Sequence, residues 1–299
     1  MTAAAPPATV RQSDVALSAG YRIRVYEAGE PDLPAVLLLH GSGPGVSGRS
    51  NWQGVMARLG DRFHCIAPDI VGFGDSTHPE PAPQGFLANA ELRVPKLIEL
   101  LDVLDVPAVS LVGNSMGGMY SLRLIQLAPG RVEKLVLMGS GGMPGLAPTP
   151  DLIKLITFYD GPTREAMASL FRAFVYDVDS FGADIDAIAG ERLEIALRPD
   201  VRRSHLGTFG PGEMLTFSPG ELAAVAQPTL VIQGREDRIV PLEASYYLHR
   251  HISNSDLYVM ARCGHWSQFE QAERFSKVIA DFLAGRGSCA PTANETRQE

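Results

Sequence analysis

The chain predicts an α/β fold with eight strands in a mostly parallel sheet, helices flanking both faces, and a helical segment inserted after the sixth strand. Three observations carry this expectation. Short continuous apolar runs alternate with stretches of helical periodicity, the pattern of strands covered on both faces by crossover helices. The turns that follow several of those runs are glycine-rich and hold chemistry-bearing residues, among them Gly113-Asn-Ser-Met-Gly117. Between Asp151 and about Phe209 the strand rhythm stops and only helical periodicity is left.

Taken in order, residues 1–10 read as loose, and alternation around Arg11 to Leu17 and Tyr21 to Tyr26, split by Ala19-Gly20, reads as a hairpin feeding a sheet edge. Pro34 to Leu39 is a continuous apolar run of strand length, followed by the glycine-rich loop His40 to Gly48 and a helix from about Asn51 to Leu59. Phe63 to Ala67 gives a strand that ends in the turn Pro68 to Ser76. Leu87 to Leu104 has helical spacing, with Pro95 expected to kink or bound it, and leads into a strand at Ala108 to Val112. A helix over Tyr120 to Gln126 and a strand over Val132 to Met138 complete the first part of the sheet. The rhythm resumes with strands at Thr229 to Gln233 and Leu257 to Ala261, and helices at about Leu242 to Arg250 and Ala272 to Leu283. The expected division is a core of residues 1–142 and 212–284, a helical cap over 143–211, and a disordered polar tail over 285–299.

The pentapeptide fits the G-x-S-x-G turn, in which small residues two before and two after the serine let the backbone reverse and leave Oγ exposed above the sheet. A strand before it and a helix after it make the match specific. A serine hydroxyl needs a base and an orienting acid to act as nucleophile. Asp237 follows the strand Thr229 to Gln233, with Glu236 a competitor, and His265 follows the next strand between Gly264 and Trp266. Both sit beyond strand carboxyl ends, where open α/β sheets place ligands. The order Ser115, Asp237, His265 is that of this class of hydrolytic triad. The Met116 amide, at the start of the following helix, is one expected oxyanion donor, and the Gly41-Ser42-Gly43 turn should supply the second. His40 is expected to fix the turn below that loop, and the loop lacks the lysine and spacing of a phosphate cradle.

Asn51 and Asn114 are polar residues that a plain esterase does not require, and either amide could donate to a polar substrate. Arg192 lies in a helical run of the insertion, where it is either a bidentate clamp for a carboxylate or half of a surface salt bridge.

Composition bounds the alternatives. A formal charge of −8 over 299 residues, with no Lys/Arg cluster, argues against nucleic acid as a partner. Cys65, Cys263 and Cys289 form no even disulfide framework and no metal-ligand spacing, so neither a metal nor a cofactor is expected and a reducing cytoplasm is the expected compartment. No apolar run approaches the roughly 18 residues that would span a bilayer, so no membrane association is expected. The sequon at Asn294 reads as chance.

From about residue 20 to 284 the chain resembles an α/β-hydrolase, and more narrowly the meta-cleavage-product hydrolases, the carbon–carbon bond hydrolases of bacterial aromatic degradation. The resemblance is carried by His40-Gly-Ser-Gly-Pro-Gly45 with Ser50-Asn51, Gly113 to Gly118, Leu135 to Gly139, Gly234-Arg-Glu-Asp237, and Gly264-His-Trp-Ser-Gln-Phe-Glu270. It implies a triad of Ser115, Asp237 and His265, an oxyanion hole at the Ser42 and Met116 amides, and substrate contacts from Gly43, Asn51, Asn114, Arg192 and Trp266. The implied substrates are 2-hydroxy-6-oxohexa-2,4-dienoates, cleaved to 2-hydroxypenta-2,4-dienoate and a carboxylic acid by a homo-oligomer. A carboxylesterase or lactonase of the same fold is the alternative. Arg49 and Ser42 depart from common family residues, which blurs the choice of substituent at C6 and leaves the triad untouched.

Overall fold

A computed structural model of the chain describes residues 8–179 and 184–285. Beyond Gly285 the expected tail, with Cys289 and the sequon, lies outside the described residues, as do residues 1–7 of the expected loose N-terminus.

One sheet contains all eight expected strands. They are β1 (Arg11–Ala16), β2 (Arg22–Ala28), β3 (Ala35–Leu39), β4 (His64–Pro68), β5 (Val109–Asn114), β6 (Val132–Met138), β7 (Thr229–Gly234) and β8 (Ser255–Met260). Their order is β1-β2-β4-β3-β5-β6-β7-β8. The β1–β2 and β2–β4 pairs are antiparallel, and every pair from β4–β3 to β7–β8 is parallel. Since successive strand residues point to opposite faces, each central apolar run feeds two cores at once. Leu37, Leu39, Leu111 and Leu135 join one cluster, and Val36, Leu38, Val112 and Val136 join the other.

The helices close over these two faces. On the first lie α2 (Phe86–Val103), α3 (Met116–Leu127), the short α8 (Pro219–Ala223) and α9 (Leu242–His251), through Val94, Leu124, Leu222 and Leu248. On the second lie α1 (Gly48–Leu59) and α11 (Ala272–Leu283), through Trp52, Met56, Phe275 and Ile279. Helix α1 begins three residues earlier than its periodicity indicates, because Ser47 caps it: its Oγ accepts from the Ser50 amide at 3.0 Å while the Ser47 amide donates to Ser50 Oγ at 3.0 Å. Helix α2 runs through Pro95, in keeping with the helical spacing of Leu87 to Leu104, and the proline does not bound it. Ala90, Val94, Leu97 and Leu101 are fully buried against the sheet on both sides of that proline. Their burial outweighs the roughly 3 kcal/mol that an interior proline costs.

Between β6 and α8 the described chain is helical, with α4 (Pro150–Ile156), α5 (Arg164–Phe174), α6 (Ile185–Ala196) and α7 (Pro199–Thr208). Capping side chains set three of the four starts: Thr149 accepts from the Leu152 amide, Thr163 from Ala166, and Asp184 from Asp186 and Ala187. Leu155, Phe158, Met167, Phe171 and Phe174 form a third cluster, which also takes in Ile239, Val240 and Ala244 from the loop and helix after β7. The helical insertion therefore packs directly over the Asp237 turn.

Candidate active site

Strand β5 delivers Ser115 into a sharp turn at φ 54° and ψ −115°, a left-handed conformation that a residue with a side chain adopts only under constraint. Two glycines make the turn possible. A Cβ at Gly113 would run into the Gly117 backbone, and one at Gly117 would strike the Leu39 carbonyl oxygen of β3. The Ser115 amide donates to the Met138 carbonyl at 2.9 Å, which pins the turn to β6. Helix α3 starts at Met116, whose amide is one of the free donors of a helix's first turn. Ser42, 7% exposed, lies in the loop after β3 and lines the same cleft as Ser115.

His265 Nδ1 donates to Asp237 Oδ2 at 2.7 Å, with both side chains almost fully buried. The carboxylate is immobilised from its other side: Oδ1 accepts from the Ile239 and Val240 amides at 2.8 and 3.0 Å, and Oδ2 accepts from Gln233 Nε2 at 2.8 Å. Gln233 is in turn held by the Val240 carbonyl and the Ser245 hydroxyl. Glu236, the competing acid, turns the other way and accepts from the Cys263 amide at 3.0 Å. His265 lines the cleft with Ser115, so the histidine carries its acid on Nδ1 and shares a chamber with the serine.

Sequence reasoning missed Gly139 and Gln233. Gly139 ends β6 with φ 52°, and a Cβ there would lie 2.9 Å from His265 Nδ1 and 3.3 Å from Asp237 Oδ2. The Leu135 to Gly139 run contained that signal, since a glycine closing an apolar strand marks a close approach. Nothing local distinguishes Gln233 from any other polar strand end.

The cleft has two chambers that meet at Ser42, Ser115, Leu152 and Ile239. The smaller, about 30 Å³, is the more polar of the two: Ser50, Asn51, Asn114, Arg192 and His265 line it with Gly43 and Trp266, beside apolar Val46, Leu155, Phe174 and Phe269. The larger, about 400 Å³, is lined by Phe86, Met116, Met119, Met143, Leu146, Ile156, Phe209, Met214 and Leu215 among others, and no ionisable side chain lines it among the described residues.

Arg192 reaches the polar chamber from α6. Its guanidinium carbon lies 5.7 Å from the centre of the Phe171 ring, and burial lowers its pKa to about 10. It remains a cation at neutral pH. No carboxylate pairs with it among the described residues, so the surface-salt-bridge alternative does not describe its position. Asn51 Nδ2 is buried with no hydrogen-bond partner among the described residues. Asn114 lines the same chamber, and its Nδ2 donates one of its two N–H groups to the Met138 carbonyl at 3.3 Å. Trp266 packs on Phe174, with ring centres 4.6 Å apart, and forms a wall of the polar chamber.

His40 is fully buried, with Nδ1 donating to the Gly41 carbonyl at 2.7 Å and Nε2 accepting from the Ile70 amide at 3.0 Å. Burial pushes its pKa down to about 3, so it is a neutral strut beneath the loop. Among the described residues no group of three His, Cys, Asp or Glu side chains could hold a metal ion, and no helix is long and apolar enough to cross a membrane.

A model of the alpha/beta hydrolase family matches residues 36–278. The chain is 35% identical over 279 residues to a 2-hydroxymuconate semialdehyde hydrolase of Pseudomonas sp. strain CF600, covering 92% of this chain and 94% of that protein. It is 36% identical over 260 residues to a 2-hydroxy-6-oxononadienedioate/2-hydroxy-6-oxononatrienedioate hydrolase of Paraburkholderia xenovorans strain LB400, covering 83% and 86% of the two. The solved structure of a 2-hydroxy-6-oxo-6-phenylhexa-2,4-dienoate hydrolase from Rhodococcus sp. strain RHA1 superposes with a TM-score of 0.88 at 35% identity, covering 93% of this chain and 99% of that one.

Proposed function

The chain belongs to the meta-cleavage-product hydrolases of the α/β-hydrolase family, and from that membership we propose that it cleaves the C5–C6 bond of a 2-hydroxy-6-oxohexa-2,4-dienoate bearing an uncharged apolar group at C6. The products are 2-hydroxypenta-2,4-dienoate and the carboxylic acid made from C6 and its substituent. The observation that carries this reading is Arg192, a half-buried cation with no carboxylate partner among the described residues, in the same chamber as Ser115 and His265. A neutral ester gives it nothing to hold. A dienoate offers its C1 carboxylate and the neighbouring C2 oxygen as a planar pair of acceptors for a rigid guanidinium fork.

A carbon leaving group must not depart as a bare carbanion. The 2-hydroxydienoate therefore first becomes the 2-oxo-3-enoate: the O2 proton is lost and a proton is added at C5, with His265 handling the transfer. Arg192 and the Asn51 amide stabilise the dienolate that develops meanwhile. Ser115 Oγ then adds to the C6 carbonyl as His265 takes its proton, and the Ser42 and Met116 amides receive the resulting oxyanion. Collapse breaks C5–C6, with the electron pair accepted into the conjugated 2-oxo-enoate, which leaves as the dienolate and is protonated on O2. Water activated by His265 hydrolyses the acyl-Ser115 ester, returning the serine and releasing the acid. A cap over residues 143–211 keeps bulk water away from these charges.

The apolar chamber supports the C6 assignment. A carboxylate on the C6 substituent would be buried among methionine, leucine and phenylalanine with no cation to meet it, which is costly. The reaction is tested by following the disappearance of the coloured dienoate and identifying both products by mass spectrometry. Turnover of p-nitrophenyl esters with no consumption of any dienoate would replace the proposal with an esterase or lactonase.

A further inference from the structure

We propose that Glu270 is a positioning residue that locks the loop carrying His265 to the chain leaving cap helix α5, so that seating of the cap and placement of His265 are one event. The last residue of α10 (Ser267–Glu270), it has no role in the chemistry above. Its carboxylate accepts three backbone N–H groups from two separate segments. Oε2 accepts from the Gly264 amide at 2.6 Å, one residue before His265. Oε1 accepts from the Tyr176 amide at 2.6 Å and from the Asp177 amide at 3.3 Å, just beyond the end of α5.

The two segments are also in direct contact. The Trp266 amide donates to the Phe174 carbonyl at 3.1 Å, and the Phe174 and His265 rings lie 5.7 Å apart. A Cβ on Gly264 would sit 2.6 Å from the Phe174 carbonyl oxygen and 2.9 Å from the Tyr176 amide, so the loop and the cap segment meet backbone to backbone with no room for a side chain. From the opposite side Glu236 holds the adjoining Cys263 amide. The histidine loop is thus clamped by two carboxylates, and of the two Glu270 is the one that reaches the cap segment.

The chemistry of the clamp requires an anion with two acceptor oxygens. A glutamine keeps the length but places an NH2 opposite either the Gly264 or the Tyr176 amide, setting donor against donor. One end of the clamp must then open. Because His265 must transfer protons over hydrogen-bond distances, a displacement on the order of 1 Å is enough to lower the rate about 100-fold.

This inference rests on His265 acting as the proton handler, and its test includes probes that need no dienoate. In Glu270→Gln, kcat for the dienoate should fall at least about tenfold while KM stays within about threefold of the parent. Burst hydrolysis of p-nitrophenyl acetate and the rate of inactivation by a serine-directed fluorophosphonate should fall in parallel, since both need Ser115 activated by His265. A purely structural loss would lower the melting temperature and the active fraction while leaving the rate constants per active site unchanged. Gly264→Ala breaks the same contact from the loop side and should reproduce the kcat loss, which keeps the test decisive if Glu270→Gln does not fold. Unchanged kcat and inactivation rate in either folded variant would overturn the proposal, as would a change confined to KM. Loss of fluorophosphonate and ester reactivity in an enzyme that never consumes dienoate would uphold Glu270 and reject the proposed substrate.

Discussion

Replacing Arg192 by glutamine separates a dienoate hydrolase from an esterase most sharply. The residue is half-buried, desolvation lowers its pKa to about 10, and no carboxylate among the described residues compensates it. A bound C1 carboxylate supplies the missing charge. Two charge-assisted hydrogen bonds from a guanidinium fork, each contributing about 1.5–3 kcal/mol net, are partly offset by the substrate's own desolvation. A loss of about 2.7 kcal/mol, or about 100-fold in kcat/KM, is therefore the least expected for Arg192→Gln on the dienoate. Orientation adds to this, because the clamp also aligns C6 with Ser115 and C5 with His265. Arg192→Lys should recover only part of the loss, since it restores charge without the fork. Steady-state kinetics on a dienoate and on p-nitrophenyl acetate with one purified preparation provide the assay, and the ratio of the two losses is the informative quantity. Equal losses on both substrates would mean that the substitution merely disturbs the cap, and no loss on the dienoate would remove Arg192 from the site.

Ser115→Ala should abolish turnover by orders of magnitude while dienoate binding, followed by the spectral shift of the bound chromophore, is largely kept; near-normal cleavage would remove Ser115 as nucleophile. Gly139→Ala should lower kcat at least about tenfold, because the added Cβ meets His265 Nδ1 at 2.9 Å and the residue must keep φ 52°, at a stability cost of about 1–2 kcal/mol readable by urea unfolding. Dienoates with isopropyl or phenyl at C6 should exceed a C6 carboxyethyl substrate by at least about 100-fold in kcat/KM, and a preference for the dioate would contradict the apolar chamber. His205, buried between the Tyr159 and Phe209 rings, has its pKa lowered to about 4 by burial. The unfolded chain therefore binds the proton first, and stability that is full above the unfolded histidine value of about 6.5 is lost as pH falls from there through 4. His205→Phe should flatten that acid limb by up to about 1.4 kcal/mol per pH unit in denaturant titrations, whereas an unchanged slope would mean that His205 titrates normally.

What the sequence by itself determined is everything that local pattern encodes. Strand positions follow from unbroken apolar runs such as Pro34 to Leu39, and the serine turn follows from glycines that no other residue can replace. The positions of Asp237 and His265 follow because a parallel sheet sends each strand's carboxyl end to the same edge, so an acid and a histidine after successive strands must converge. Helical spacing from Leu87 to Leu104 was legible, but whether Pro95 ended that helix was not, because the proline's local cost is overridden by Val94 and Leu97 packing on a sheet assembled from distant segments. Nor was the state of Arg192: helical periodicity places it on a face but cannot say whether a carboxylate meets it there. The partner of one Asn114 amide N–H was likewise not legible, because strand β6 supplies the Met138 carbonyl from a separate part of the chain. Glu236 and Asp237 are adjacent and chemically alike, and only the fold aims one at His265 and the other at the Cys263 amide. The two-chamber cleft and the Glu270 clamp belong to tertiary structure alone, because each joins segments distant in sequence, Glu270 and Tyr176 being 94 residues apart, and separation of that kind leaves no periodic trace in the chain.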